Sequence, residues 1–301
     1  MIPLTLGSLY AWYRFETFHL ENFLLMLVSL LCVDMATTVI NNYQDYKRAT
    51  KKHGYGYEIH NSIVKNKLTA ATVRTVIFVL LAIAVTSGVL LYLNTDVIVL
   101  LLGLLSFLIG VGYSFGPLPI YRTPLGEIMS GLTLGLGAPF LAIYIHVFER
   151  GIITLHLENA QLLFGVDIVE IGMIILLALP AVMAITNIML ANNICDMEED
   201  FENKRYTLPI SIGKEKALRL FRRLYDIGFV AIAIAVALQI LPLISIAVLG
   251  TYGKVRQNVA KFTALQTKKD TFVVAVKNFV LINGVYVLTL ALAVILRFFF
   301  R

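Results

Sequence analysis

The chain has 301 residues, of which 58% are hydrophobic and only 15% charged, with a mean hydropathy of +0.81. A water-soluble domain carries about a quarter charged residues, so a soluble enzyme is excluded, and the two isolated cysteines, Cys32 and Cys195, exclude a disulfide scaffold. The net charge of +6 argues against a nucleic-acid partner, because the basic residues lie between apolar runs.

Apolar runs occur at 2–13, 20–41, 70–93, 97–115, 125–148, 171–192, 217–239, 241–252 and 275–299. Most approach the roughly 20 residues that cross a bilayer. They predict an all-α integral membrane protein, a nine-helix transmembrane bundle forming one domain over 1–301. The first and eighth runs are too short for a full crossing at about 1.5 Å per residue. The first begins at Met1, as if a preceding half-helix were missing; a short interfacial segment is its other reading. No basic segment precedes it, which argues against a cleavable signal peptide. Loops 42–74, 116–124, 193–227 and 252–277 hold 21 of the 25 lysines and arginines. That asymmetry predicts that these four loops face the cytoplasm.

Two of the helix ends carry the same pattern. Residues 41–45 read NNYQD and residues 192–196 read NNICD, 151 positions apart. Four predicted crossings separate them, so both belong on the same membrane face. Asn41 and Asp45 share a helix face, and Asn192, Asp196 and Asp200 form a polar stripe at four-residue spacing. Carboxylates are costly near lipid and normally face the protein interior or a wet cavity. Amides and carboxylates with few histidines suit a hard cation such as Mg²⁺, which takes one or two carboxylates and leaves its other positions to water and phosphates. Lys47, Arg48 and Lys65 follow the first cluster, and Lys204 and Arg205 follow the second. Metal ligands beside cations are what a diphosphate requires. Lys51, Lys52 and Lys67 read as solvated loop charges. His53, His60, His146 and His156 show no ligand spacing. Asp34, about 16 Å deeper along its helix than Asp45, reads as a neutral acid bonded to a neighbouring helix; facing a substrate pocket is its other reading.

The stretches NNYQDYKR at 41–48 and NNICDMEEDFENKRYTLPISIG at 192–213 resemble the two Asp-rich motifs of the UbiA superfamily of intramembrane aromatic prenyltransferases. GYSFGPLPIYRTPLGE at 112–127 is similar to that superfamily's loop between the fourth and fifth helices. The combination is most similar to the branch that prenylates 1,4-dihydroxy-2-naphthoate in menaquinone synthesis. The resemblance implies nine helices around a central cavity, with Mg²⁺ joining a polyprenyl diphosphate to both motifs and the tail running toward lipid. It assigns metal binding to Asn41, Asp45, Asn192, Asp196 and Asp200. It assigns substrate binding to Asn41, Asn42, Lys65, Asn192, Asn193 and Lys204 or Arg205. Asn42 and Asn193 stand where the superfamily often has acids, Lys51 where a further Asp usually follows, and Cys195 where the naphthoate branch often has Arg.

The chemistry can also be reasoned from the residues. Breaking an allylic C–O bond builds charge on the leaving diphosphate, which cations stabilise best in a water-poor site. The allylic cation left behind needs shelter from water, and an aromatic face provides it. Tyr113 is the candidate; an interfacial belt position is its other reading. Glu127 fits a helix N-terminus, and Pro117, Pro119 and Pro124 fit a stiff loop. Two function classes remain open at this level. One is a prenyltransferase acting on dihydroxynaphthoate, 4-hydroxybenzoate or haem. The other is an ion-coupled transporter, which would carry ionisable groups through the membrane depth and often an internal repeat.

Overall fold

The apolar runs become helices because each stretch of membrane-facing backbone must satisfy its own hydrogen bonds. The computed structural model describes residues 1–48, 61–66, 68–114, 119–158 and 161–299. In chain order the helices are α1 (Ile2–Phe15), α2 (Leu20–Arg48), α3 (Ser62–Lys65), α4 (Ala70–Leu93), α5 (Val97–Ser114), α6 (Gly126–Ser130) and α7 (Ala138–Val147). They continue as α8 (Ile168–Cys195), α9 (Met197–Glu202), α10 (Leu208–Ile212), α11 (Lys214–Ala237), α12 (Tyr252–Ala264) and α13 (Val273–Phe299).

Among the described residues, six helices are long and apolar enough to cross a membrane: 20–44, 70–93, 97–114, 126–150, 168–195 and 273–299. The other three expected crossings take different forms. α1 is 14 residues long. α11 opens with the charged sequence KEKALRLFRR. The run at 241–252 is largely a nine-residue 3-10 segment, Leu243–Thr251. The chain is also not wholly helical. Ile153–Glu158 (β1) pairs antiparallel with Gln161–Val166 (β2). Both strands fall between apolar runs, and each is too short to stand out beside a 20-residue helix.

The chain forms two units, residues 20–103 and residues 1–19 with 104–301. In the first, α2 packs on α4, and Ser29 Oγ donates to Ala84 O at 3.0 Å. Thr69 caps α4 by accepting from Thr72 N–H. Asp96 caps α5 through Ile98 and Val99 N–H.

In the second unit, α1, α7, α8, α11 and α13 share one core that includes Tyr10, Ile143, Leu177, Phe221 and Tyr286. Asp167 caps α8, accepting from Val169 and Glu170 N–H at 3.0 Å each. Between α6 and α7 the helix widens into a π-helical stretch, Gly131–Gly137. Its glycines set the helix spacing. A Cβ on Gly135 would meet Val182 backbone at 2.5 Å, and one on Gly131 would collide with Thr186 Oγ1. Small residues four apart allow this close approach. The crossing is antiparallel: Gly135 lies at Val182 and Gly131 at Thr186. Beyond that row the two helices reach Glu127, one turn before Gly131, and Asn193, two turns after Thr186.

Candidate active site

The close crossing delivers Glu127 to Asn193. Asn193 Nδ2 donates to Glu127 Oε1 at 2.8 Å, and both side chains are buried. The second oxygen, Glu127 Oε2, has no hydrogen-bond partner among the described residues. Asn193 therefore turns its amide into the protein, and Glu127 anchors the motif as well as standing at a helix N-terminus.

The rest of the second motif gathers where α8 ends. Asn192 Nδ2 donates to Asn193 Oδ1 at 3.3 Å and reaches Asp196 Oδ2 at 3.5 Å. Asp196 is the C-cap of α8. A carboxylate there opposes the helix dipole, and a cation offsets it: Lys268 Nζ lies 2.6 Å from Asp196 Oδ2. Lys268 projects from the turn between α12 and α13. In that turn, Thr267 Oγ1 donates to Asp270 Oδ2 at 3.0 Å, and Thr271 Oγ1 accepts from Thr267 N–H at 2.9 Å.

Asp200 follows one helical turn later, almost fully buried. Arg205 Nη1 lies 3.2 Å from its Oδ1. The chain reverses at Lys204, which takes a left-handed conformation with φ of 54°. That reversal lets Arg205 N–H donate to Asp200 O at 2.8 Å. The Arg205 guanidinium stacks over Tyr121 at 4.8 Å, and Tyr121 lies 6.2 Å from Tyr113, ring centre to ring centre. Arg122 ties the two loops, donating to Asn203 O at 2.8 Å while its own carbonyl accepts from Tyr206 N–H. Burial pushes the Asp200 carboxyl up to about 6, with Arg205 pulling it back down and Asp196 adding to the rise.

Asn192, Asn193, Asp196, Asp200 and Arg205 are thus brought together, with Tyr113 one aromatic ring away from Arg205. Lys204 points to solvent. The first motif lies on the last turns of α2. Asn41 is exposed, and Asn42 Nδ2 donates to Thr38 O at 2.9 Å. Buried Asn61 donates to Asn42 O at 2.8 Å and caps α3 by accepting from Ile63 N–H at 3.0 Å. Asn61 thereby ties Lys65, exposed at the end of α3, to the first motif. The Asp45 and Arg48 side chains lie outside the described residues, as do Lys51, Lys52, His53, His60, Lys67 and Pro117. Asp34 is exposed on α2, not enclosed as expected. Lys268, Tyr121 and Asn61 were not anticipated. Each joins its motif through tertiary contact, and Lys268 does so across 72 residues of sequence.

The donor set fits Mg²⁺. Asp196 and Asp200 supply two carboxylates one turn apart, with the Asn192 amide beside them, all hard oxygen donors. No cluster of three or more carboxylate, histidine or cysteine side chains suited to a metal occurs among the described residues. Two carboxylates are the share this ion ordinarily takes when phosphates complete its shell.

The fold is that of a multi-pass helical membrane protein, with carboxylates and cations gathered in pairs at the end of one long helix. The chain belongs to the UbiA prenyltransferase family, whose model matches residues 1–275. That membership decides against the transporter. The chain is 28% identical over 229 residues to the 1,4-dihydroxy-2-naphthoate octaprenyltransferase of Bacillus subtilis, covering 76% of this chain and 67% of that one. Among solved structures, a UbiA homolog from Aeropyrum pernix superposes with a TM-score of 0.71 at 17% identity, covering 99% and 97% of the two chains. A UbiA homolog from Archaeoglobus fulgidus bound to GPP and Mg²⁺ gives 0.61 at 14% identity, covering 97% and 95%. At these identities the two structures establish a shared fold.

Proposed function

We propose that this polyprenyl transferase moves a polyprenyl group from its diphosphate to 1,4-dihydroxy-2-naphthoate, with loss of CO₂, giving demethylmenaquinol. The observation that carries the reading is the alternation of charge at the end of α8: Asp196 with Lys268, then Asp200 with Arg205. Such a site offers carboxylates to a metal and cations to phosphate oxygens at once. The naphthoate relative supports the acceptor, and the fold shared with a Mg²⁺- and GPP-bound homologue supports the donor and the ion.

In this reading Asp196, Asp200 and Asn192 would hold Mg²⁺, the role that the family resemblance also gives to Asn41 and Asp45. The ion supplies charge stabilisation on the leaving diphosphate. Arg205 and Lys268 would bind phosphate oxygens as charge develops there, and the family resemblance gives the same role to Lys65. Tyr113 and Tyr121 present ring faces to the allylic cation. The acceptor carbon bearing the carboxylate attacks C1 of the prenyl group, the C–O bond to diphosphate breaks, and departure of CO₂ returns its electron pair to the ring. Residues 1–301 act as one nine-helix prenyltransferase domain whose motif loops face the cytoplasm.

The test is mass spectrometry of the lipid formed by purified protein, Mg²⁺, a polyprenyl diphosphate and a panel of aromatic acids. A decarboxylated prenyl naphthol is expected. A product that keeps its carboxylate would assign the enzyme to the hydroxybenzoate-type reaction instead.

A further inference from the structure

One face of α11 is built in two halves. With about 100° between successive residues, Lys216, Arg219, Leu220 and Arg223 fall in the same sector, about 100° wide, as Ile227, Val230 and Ile234. The three cations are exposed, and so are the three apolar residues. The opposite face, with Phe221, Tyr225 and Ile232, is buried in the core. Lys216, Arg219, Leu220 and Arg223 line a groove of about 310 Å³. Among the described residues, none of its three cations has an ion-pair partner. Glu215 lies outside the sector. Asp226, at its edge, is committed to Tyr252 at 3.0 Å and Arg256 at 3.6 Å.

The vertical spacing matters as much as the charge. Arg223 stands one turn, about 6 Å, from Ile227, where the exposed face becomes wholly apolar. The cationic part, Lys216 to Arg223, spans about 10 Å, close to the roughly 5–8 Å depth of one headgroup layer. An amphiphile lying along this face would place its phosphate in the groove and its chains beside Ile227, Val230 and Ile234.

We propose that this face is a binding site for an anionic phospholipid, its headgroup phosphate held by Lys216, Arg219 and Arg223. Inorganic phosphate lacks the tail that the apolar half would hold. A polyprenyl diphosphate has both parts, but no carboxylate lines the groove to bring the metal that offsets a diphosphate's charge. A phosphodiester needs no such metal, and three cations suffice. The site is separate from the carboxylates at the end of α8 and does not depend on the acceptor assigned above.

Native mass spectrometry of the purified full chain, equilibrated with phosphatidylglycerol and phosphatidylcholine together, tests this. The protein is expected to retain one phosphatidylglycerol in preference. A lysine or arginine near a charged membrane surface is worth about fivefold. Arg219→Gln should therefore weaken that preference about fivefold, and Lys216→Gln, Arg219→Gln and Arg223→Gln together on the order of 100-fold, with thermal stability monitored as a check on folding. A control that removes equal charge, Lys254→Gln with Lys261→Gln and Lys269→Gln, should leave the preference intact. Three results would overturn the proposal: unchanged retention in the triple variant, equal loss in the control, or displacement of the phosphatidylglycerol by an equimolar polyprenyl diphosphate.

Discussion

Asn193 holds the second motif against the crossing helix: its amide donates to buried Glu127 at 2.8 Å. Asn193→Asp would replace the donor with a second carboxylate, so two carboxyl groups would face each other and must either repel as anions or take up a proton between them. Unit charges about 3 Å apart repel by roughly 5 kcal/mol at an effective dielectric of about 20. The lost hydrogen bond to a charged acceptor adds about 1.5–3 kcal/mol. Rotation of the side chains apart returns part of this, which leaves an expected destabilisation of about 3–5 kcal/mol, or a Tm lowered by about 10 °C. Adding Glu127→Gln should restore most of the loss, because a glutamine can donate to the new carboxylate. Thermal unfolding of the detergent-solubilised protein, run as a double-mutant cycle, gives the coupling directly. If Asn193→Asp melts within about 2 °C of the parent, a shift of less than about 1 kcal/mol, or if Glu127→Gln brings no recovery, the buried pair is not what holds the motif.

The Asp200 carboxyl, raised to about 6 mainly by burial, adds stability to the metal-free protein below its ordinary value of 3.8, and that contribution is lost as pH rises through 6. Metal binding needs the anion, so Mg²⁺ affinity measured by calorimetry should rise between pH 5 and pH 7.5; equal affinity at both would remove Asp200 from the ligand set. Lys268→Gln frees Asp196, and should bind Mg²⁺ alone at least as tightly as the parent but polyprenyl diphosphate several-fold more weakly. Weaker binding of both would mean that Lys268 only supports the turn. Asp45→Asn should lower kcat by about 10²–10³ while Lys51→Ala changes it little, and the reverse pattern would move diphosphate binding to Lys51. A single cysteine replacing Asn203 should be labelled only from the cytoplasmic side.

The helices and the second motif were legible in the sequence for one physical reason: both are local. A bilayer-length apolar run declares itself, and Asn192, Asp196 and Asp200 recur at the helical period. What stayed hidden is non-local. Nothing near position 268 marks that lysine as different from Lys269, because its role depends on a turn placed by the packing of α12 against α13. Glu127 was placed correctly at the start of a helix, but its pairing follows from Gly131 and Gly135, whose missing side chains let α8 approach. The hairpin at 153–166 was missed because two six-residue strands carry little signal between long apolar runs.

The two acids of the second motif are balanced by cations of different origin, and that difference bears on how the site works. Arg205 comes from five residues along the same chain segment and stacks on Tyr121, so it is held on three sides. Lys268 comes from a distant turn, and its side chain is more than half exposed. A charge as buried as Asp200 is tolerated only with a fixed partner, which Arg205 provides. Asp196 is less enclosed, and its long, flexible partner can leave at little cost, since an ion pair near water is worth about 1 kcal/mol or less. On the proposed reading, Asp196 is therefore the carboxylate that would be released to a metal when its lysine leaves, and Lys268 would then be available to a phosphate oxygen. Asp200 keeps Arg205 beside it through one oxygen, so the carboxylate offered to the metal and the guanidinium offered to the phosphate are held in place together.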